Sequence, residues 1–365
     1  MRDFIPQIEP WIDNSELIEL QRVVNSTFVT ENKLTKEFEG VIKELTGSKY
    51  AISITNGTAA LFCCLKAIGI QNGDEVIVPN ITFVATSNAV LMANATPIFC
   101  EIDEKTFCID PTEIEKLIND RTKAIIPVHL YGQSADMDKI NSIAAKYNLK
   151  VIEDAAQGVG VRFDGKHTGT LGDMGILSFY GNKTITCGEG GVILTDSKEL
   201  RDKSYQLKNH GRLHKGTFKH EHVGYNFSFT EMQAAIGISQ MKKLSRIIER
   251  KKEIHDIYVE KLKPLCAQLI PTHLDNRCSP VWWFTSFLTK NKEALKEFLF
   301  EKNIQTRDFF YPLHLQPCYQ YMNIPRNFPI SEKIYFSGIS LPSSYGLTGE
   351  EQNYIIDSIF EFFGG

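Results

Sequence analysis

Between residues 49 and 196 the apolar positions form short runs rich in β-branched residues, separated by segments with helical periodicity. Runs that are brief and bounded by turn residues are typical of strands. Seven strands are predicted, at residues 49–54, 75–78, 97–102, 123–128, 150–153, 175–179 and 191–194. Crossover helices are predicted between them at residues 58–68, 84–93, 111–118 and 137–147. This alternation predicts an α/β fold with a seven-stranded, mainly parallel sheet and helices on both of its faces.

Beyond residue 194 the pattern becomes helical, and residues 230–262 form one long amphipathic segment with a solvated run of charges. Prolines punctuate the chain from about residue 264 onward, where apolar residues 281–288 and helical segments at 294–302 and 350–363 follow. At this length two domains are expected. We predict a large domain at residues 1–245, which includes the N-terminal segment, and a small α+β domain at residues 246–365.

Composition narrows the class of protein. The 365 residues carry 40 basic and 44 acidic side chains, so charge gives no reason to expect binding to nucleic acid or to an anionic membrane. The eight cysteines contain no C-x-x-C pair, which favours buried thiols over disulfides, and no metal site is expected. Because the chain has neither a signal-like N-terminus nor an apolar run of about 18 residues, we expect a cytoplasmic protein.

Ligands of parallel α/β sheets bind outside the carboxyl ends of the strands, so the loops at these ends are the first places to search. The first strand runs into Asn56, Gly57 and Thr58 and then directly into a helix. Backbone N–H groups at such a helix start, with a glycine and a threonine hydroxyl beside them, can bind a phosphate. The same turn is also common as an ordinary capped helix start.

The fifth strand ends in two consecutive carboxylates, Glu153 and Asp154. Alternation along a strand points them to opposite faces, so at most one enters a site above the sheet. That carboxylate either caps the next helix or holds a protonated ring nitrogen, as the electron sink of pyridoxal requires.

The sixth strand delivers Ser178 and, five residues later, Lys183. A single lysine in such a loop would be unremarkable, and an ordinary solvated side chain is the simpler interpretation. Taken with the Gly57 turn and Asp154, however, the three strand ends supply phosphate donors, a pyridinium partner and an amine nucleophile.

The sequence resembles the DegT/DnrJ/EryC1/StrS sugar aminotransferases of fold type I, from about residue 5 to the C-terminus. Seven stretches in the same order carry the resemblance: NGTAAL at 56–61, GDEVIVP at 73–79, PVHLYG at 127–132, IEDAAQ at 152–157, SFYGNK at 178–183, GEGG at 188–191 and GYN at 224–226.

The resemblance implies a pyridoxal 5'-phosphate enzyme, with Lys183 as the Schiff-base lysine and Asp154 as the partner of the ring nitrogen. It further implies a cofactor site and a homodimer with shared active sites, in which one asparagine reaches the neighbouring subunit's phosphate. The implied cofactor residues are Asn56, Gly57, Thr58 and Ser178 at the phosphate, Phe83 and Gln157 on either side of the ring, and Asn226 across the interface. Four further residues are candidates for the substrate side: His129, Glu189, Arg307 and His314.

A branch of the family has histidine at the lysine position and carries out dehydration, so Lys183 favours amino transfer. Residues 178–186 and 311–314 are similar to enzymes that aminate GDP-4-keto-6-deoxymannose at C4 to give GDP-perosamine, although Phe227 and Ser228 replace an aromatic–arginine pair. This resemblance implies that L-glutamate donates the amino group and that a nucleotide-linked keto sugar accepts it, in the biosynthesis of surface polysaccharide. The alternatives are another keto sugar, a small keto phosphate such as dihydroxyacetone phosphate, or a non-catalytic regulator that binds cofactor or sugar.

Overall fold

The structure is a computed structural model that describes residues 4–213, 216, 218–220, 222–322, 324 and 327–364. Within these ranges the helices are α1 (Asn14–Ser26), α2 (Lys33–Thr46), α3 (Gly57–Ala67), α4 (Ala85–Met92), α5 (Pro111–Ile114), α6 (Met137–Tyr147), α7 (Lys198–Lys208), α8 (Glu231–Lys261), α9 (Lys292–Glu301), α10 (Pro329–Ser337) and α11 (Gly349–Gly364). The strands are β1 (Tyr50–Ile54), β2 (Glu75–Pro79), β3 (Thr96–Cys100), β4 (Thr122–Ile125), β5 (Lys150–Asp154), β6 (Arg162–Phe163), β7 (Lys166–His167), β8 (Met174–Ser178), β9 (Gly191–Thr195), β10 (Ile270–Pro271), β11 (Cys278–Ser279), β12 (Thr285–Leu288), β13 (Arg307–Asp308) and β14 (Gly338–Leu341).

A seven-stranded sheet in the order β1-β9-β8-β5-β4-β2-β3 forms the centre of the molecule. Only β9 runs against its neighbours, and the other six strands point the same way. All seven predicted strands and the mainly parallel arrangement are therefore confirmed. Because the strands are parallel, the loops that follow β1, β2, β5 and β8 all leave from one edge of the sheet.

The helices largely follow the predicted pattern, with two differences. The predicted helix at residues 111–118 is only one α-helical turn, α5, followed by a 3₁₀ turn at Glu115–Leu117. The N-terminal helices α1 and α2, which pack against α8, were not among the predicted elements. The start of α1 is fixed by a capping box between Asp13 and Glu16. Within the described ranges, no helix is both long and apolar enough to cross a membrane.

A second, smaller unit follows the long helix α8, whose predicted extent is confirmed. Its four-stranded sheet has the order β10-β12-β14-β13, and only residues 285–288 of the predicted apolar segment are a strand. Along α8 the packing changes: Ile247 belongs to a core beside the large sheet, whereas Ile254 and Tyr258 belong to the core of the small unit. The change from one core to the other falls between Ile247 and Ile254, and a division of the chain near residue 245 stays a proposal. Ile5 of the N-terminal segment nevertheless packs in the small unit's core.

The cysteines agree with the expected thiols. All eight lie in described positions and none of them forms a disulfide, and six of them are buried. Burial raises the pKa of the Cys63 thiol to about 12, so this thiol stays protonated and behaves as a small apolar side chain.

Candidate active site

A cavity of about 1030 Å³ opens at the edge of the large sheet where the predicted strand ends meet. Loops of the large unit form most of its wall, and residues 306–311 of the small unit close it. Ten of the predicted site residues line it: Asn56, Gly57, Thr58, Phe83, Asp154, Gln157, Ser178, Lys183, Glu189 and Arg307. The cavity therefore draws together predicted residues that are up to 251 positions apart in the chain, Asn56 and Arg307.

The start of α3 forms an anion site in this cavity. The Asn56 side chain accepts a hydrogen bond from the Ala59 N–H at 2.9 Å, while the N–H groups of Gly57 and Thr58 have no acceptor within the described part of the chain. A Cβ on Gly57 would lie 3.2 Å from the Ser178 Cβ, so glycine allows the helix start to approach this serine closely. The two free N–H groups and the positive end of the helix dipole suit a phosphate.

Asp154 is the carboxylate that enters the cavity from the end of β5. It is only 4% exposed, and its Oδ2 accepts a hydrogen bond from the Thr86 hydroxyl at 2.7 Å. Its Oδ1 accepts the backbone N–H of Ala156 at 3.1 Å. These two donors fix the orientation of the carboxylate, so that it can face a cationic partner in the cavity. Thr86 was not among the predicted residues, although it lies in the first turn of α4, directly after the loop that supplies Phe83.

Glu153 points to the opposite face of the sheet, as the alternation predicts. Its carboxylate accepts the backbone N–H groups of Gly169 and Gly172, both at 2.7 Å, and also that of Leu171. His129 Nε2 lies 2.8 Å from the same carboxylate and is fully buried. Its Nδ1 accepts the Ala135 N–H at 3.2 Å. Both ring nitrogens are thus occupied in the fold, and the structure does not bring His129 to the cavity.

Lys183 lies on the loop between β8 and β9, with its side chain in the cavity lining. Removal from water lowers the pKa of its amine to about 8; Asp154 opposes this shift, and the positive charge of Arg307 adds to it. At a pH near 8, about half of these amines are therefore neutral and able to take up a proton or attack a carbonyl.

Two predicted side chains offer surfaces for a flat ring. Phe83 is 57% exposed although it is aromatic, and it lies on the cavity wall. Gln157 is buried, and its Oε1 accepts the Tyr131 N–H at 2.9 Å, which fixes the plane of the amide. Tyr131 itself has a φ of 52°, an uncommon conformation for a residue other than glycine. The backbone of Tyr131 thus helps to hold the Gln157 side chain in place, and no pattern in the sequence indicated this contact.

On the substrate side, Arg307 and Glu189 are exposed cavity residues. Within the described residues Arg307 forms no ion pair, and its guanidinium carbon lies 5.3 Å from the centre of the Phe284 ring. His314 is placed elsewhere: it contacts Asn80, and its Nε2 lies 3.3 Å from Glu332. It does not line the cavity.

The arrangement fits pyridoxal phosphate on four counts. It has free N–H groups for a phosphate, a fixed buried carboxylate for a ring nitrogen, an amine of lowered pKa and an exposed aromatic wall. Asn226 does not line the cavity of its own chain and is exposed on the surface.

Comparison with known proteins also indicates an aminotransferase. Residues 10–360 match the model of the DegT/DnrJ/EryC1/StrS aminotransferase family. The chain is 38% identical to the GDP-perosamine synthase of Escherichia coli O157:H7, over 99% of both chains. It is 40% identical to the dTDP-3-amino-3,6-dideoxy-alpha-D-galactopyranose transaminase of Aneurinibacillus thermoaerophilus, over 93% of both. The solved structure of NtdA from Bacillus subtilis with bound cofactor PMP has a TM-score of 0.90 at 32% identity, and covers 97% of this chain and 83% of that one.

Proposed function

The chain belongs to the DegT/DnrJ/EryC1/StrS family of pyridoxal-phosphate-dependent sugar aminotransferases, and we propose that it moves an amino group from L-glutamate to C4 of a nucleotide-linked 4-keto-6-deoxy sugar. The observation that carries the proposal is the meeting of Lys183, Asp154 and the free N–H groups of α3 in one cavity. The donor gives up its amine and α-hydrogen and takes its keto oxygen from water, while the ketone gains the amine and a hydrogen and releases its own oxygen as water, so the two waters balance. No external oxidant or reductant is needed. We propose surface polysaccharide as the destination of the amino sugar.

Each site residue has a separate task in this proposal. When bound, pyridoxal phosphate supplies a ring that accepts the electrons left behind when the donor's α-hydrogen departs as a proton. Lys183 Nζ takes that proton and later returns a proton to the carbon of the acceptor; a pKa of about 8 suits both transfers near neutral pH. Asp154, held by Thr86, keeps a proton on the ring nitrogen. Gly57 and Thr58 bind the phosphate and so orient the ring.

Arg307 is suited to bind the donor's carboxylate. It lies close enough to Lys183 for its charge to lower the pKa of the amine, and within the described residues it has no ion-pair partner. In an α-amino acid the carboxylate is two bonds from the reacting nitrogen, whereas the diphosphate of a nucleotide sugar lies across the sugar ring from C4. A guanidinium near the amine therefore suits the amino acid, with which it can form two parallel hydrogen bonds.

The identity of the ketone is tested by a substrate panel. Residues 178–186, which resemble the C4-aminating enzymes, surround Lys183, and the 38% identity to a GDP-perosamine synthase extends over 99% of the chain. We expect GDP-4-keto-6-deoxymannose to be aminated with a kcat/KM at least about 10-fold above those of dTDP-linked 4-keto and 3-keto sugars and dihydroxyacetone phosphate. The measurement is 2-oxoglutarate release and mass spectrometry of the amino sugar. Preference for a 3-keto sugar or for the keto phosphate would redirect the assignment to that ketone.

We further propose a homodimer in which Asn226 serves the partner's site. Asn226 is exposed beside the cavity residue Phe227, and it follows the exposed Tyr225. A concentration of exposed apolar side chains supports an interface nearby, on α1 and the segment after it: Leu17, Ile18, Val24, Phe28 and Val29.

Mixing two inactive variants tests this shared site. Lys183→Ala and Asn226→Ala are each expected to lose most activity as homodimers. A mixed dimer would contain one site that carries both substitutions and one site that carries neither. Activity recovered on denaturing and refolding the two together supports the shared site. No recovery, although light scattering shows a mixed dimer, would place Asn226 outside the partner's site.

A further inference from the structure

The loop that carries Lys183 is hydrogen-bonded internally around Phe179, Thr186 and Cys187, but it has only one backbone hydrogen bond at the lysine itself within the described residues. Residues 179–190 connect β8 to β9, and a single turn, in which the Lys183 N–H donates to the Tyr180 carbonyl at 3.0 Å, sets the backbone at the lysine. The Lys183 amine forms no hydrogen bond or ion pair within the described residues. Its position in the cavity must therefore be determined by what packs against the loop.

Trp283, which precedes β12 of the small unit, contacts this loop at two points. Its indole N–H donates to the Asn182 carbonyl at 2.7 Å, immediately before the lysine. The Lys183 Nζ also lies 4.3 Å from the centre of the indole, over the face of the ring. Trp283 is only 2% exposed, yet it is part of the cavity lining. One side chain thus contacts both the loop backbone and the amine.

The backbone of Trp283 is itself held by a hydrogen bond from α8. Its backbone carbonyl accepts a hydrogen bond at 3.0 Å from the buried amine of Lys251 on α8, and Lys251 also donates to the Ser343 carbonyl at 3.1 Å. The indole is therefore anchored to the helix that joins the two units.

We propose that Trp283 is a positioning residue for Lys183: its indole N–H holds the loop, and its ring face holds the amine towards the cavity. The proposal rests on the proposed role of Lys183 as the lysine that bears the cofactor. The sequence alone does not indicate this role, because the pattern of an apolar segment gives no sign of a contact with a loop 101 positions away.

The two contacts have different physical effects. An ammonium over an indole face is stabilised by the ring quadrupole, so the ring raises the pKa of the lysine. Asp154 also raises the pKa of Lys183, whereas burial and the positive charge of Arg307 lower it. The N–H contact instead reduces the freedom of the loop and leaves the charge of the amine largely unaffected. Substitutions can therefore separate the two.

The experiment uses the full-length protein freed of cofactor, and compares Trp283→Leu, Trp283→Phe and the neighbouring Trp282→Phe. Trp282 is a matched control, because it is also buried but stacks on His255, with ring centres 3.7 Å apart, and is not part of the cavity lining. Modification of Lys183 by an amine-selective acylating reagent is followed across pH by peptide mass spectrometry. Binding of pyridoxal phosphate is measured separately by absorbance titration.

Trp283→Leu removes the ring and is expected to lower the pH of half-maximal Lys183 modification by about 0.5 to 1. Trp283→Phe keeps a ring face but loses the N–H, so we expect a smaller shift and about a 10-fold weaker binding of pyridoxal phosphate. Trp282→Phe should change neither. If the Trp283 variants match wild type in both measurements, or if Trp282→Phe reproduces their changes, the positioning role is wrong.

Borohydride reduction of the cofactor-loaded wild-type protein separates this proposal from the one on which it rests. Attachment at Lys183 with no effect of the Trp283 substitutions would overturn the positioning role alone. Attachment at another lysine would overturn the site assignment, and the positioning role with it.

Discussion

Lys183→Ala is expected to lower the rate of amino transfer from L-glutamate by at least about 10³-fold. The alanine has neither an amine that can bond to the cofactor's aldehyde carbon nor a base that can move the proton of the donor. Both tasks belong to one atom, so the loss exceeds that of removing a binding contact. The visible absorbance of the bound cofactor should change together with the loss of turnover.

Lys105→Ala is a suitable control, because Lys105 is exposed in a turn away from the cavity lining. It should retain the turnover of the wild-type protein. A small primary amine added to Lys183→Ala is expected to restore part of the rate, since it can enter the space that the side chain leaves and carry the proton. Full turnover and an unchanged spectrum in Lys183→Ala would exclude this lysine as the cofactor's attachment point.

Asp154→Asn is expected to reduce turnover by about 10²- to 10³-fold with little change in stability. Asparagine has the same shape and can still accept the Thr86 hydrogen bond, which is 2.7 Å long in the native side chain. It lacks the negative charge that keeps a proton on the ring nitrogen, so the ring accepts electrons less readily. The measurements are single-turnover kinetics with L-glutamate and the thermal midpoint of the cofactor-free protein.

Glu153→Gln is the matched comparison, one residue earlier on the same strand. The native carboxylate accepts three backbone N–H groups and contacts His129. An amide has only one accepting oxygen, so some of these buried N–H groups lose their partner. We expect the free energy of unfolding to fall by about 2–4 kcal/mol, with near-normal turnover in the protein that folds. Equal losses of turnover in the two variants would contradict the division of roles between the neighbouring carboxylates.

Much of the fold follows from the sequence because buried parallel strands leave a simple signal. The apolar runs of β1 to β5, β8 and β9 are short and bounded by turns, and each was predicted to within a few residues. The helix predicted at residues 111–118 was too long, since its local pattern does not distinguish an α-helical turn from a 3₁₀ one. Helices α1 and α2 are held by packing on α8, which is distant in sequence.

In the site, too, local sequence patterns predict some residues, whereas others depend on contacts that are distant in sequence. A rule about strand ends, which needs only the sequence, singles out Lys183 and Asp154 as candidates, and both line the cavity. Thr86 and Trp283 act through contacts with residues 68 and 101 positions away, so their roles appear only once the chain is folded. The rule fails for His129. This histidine also follows a strand, but its ring is hydrogen-bonded to Glu153 on the opposite face of the sheet and does not reach the cavity.

The long helix α8 also determines how the enzyme can be divided. Ile247 packs with the large sheet, and Ile254 and Tyr258 fill the small unit, all from one uninterrupted helix. A chain cut near residue 245 would expose apolar side chains on both fragments, even though the proposed boundary lies there. The two units are therefore better regarded as two halves of one structure than as modules that evolution or an experimenter can exchange.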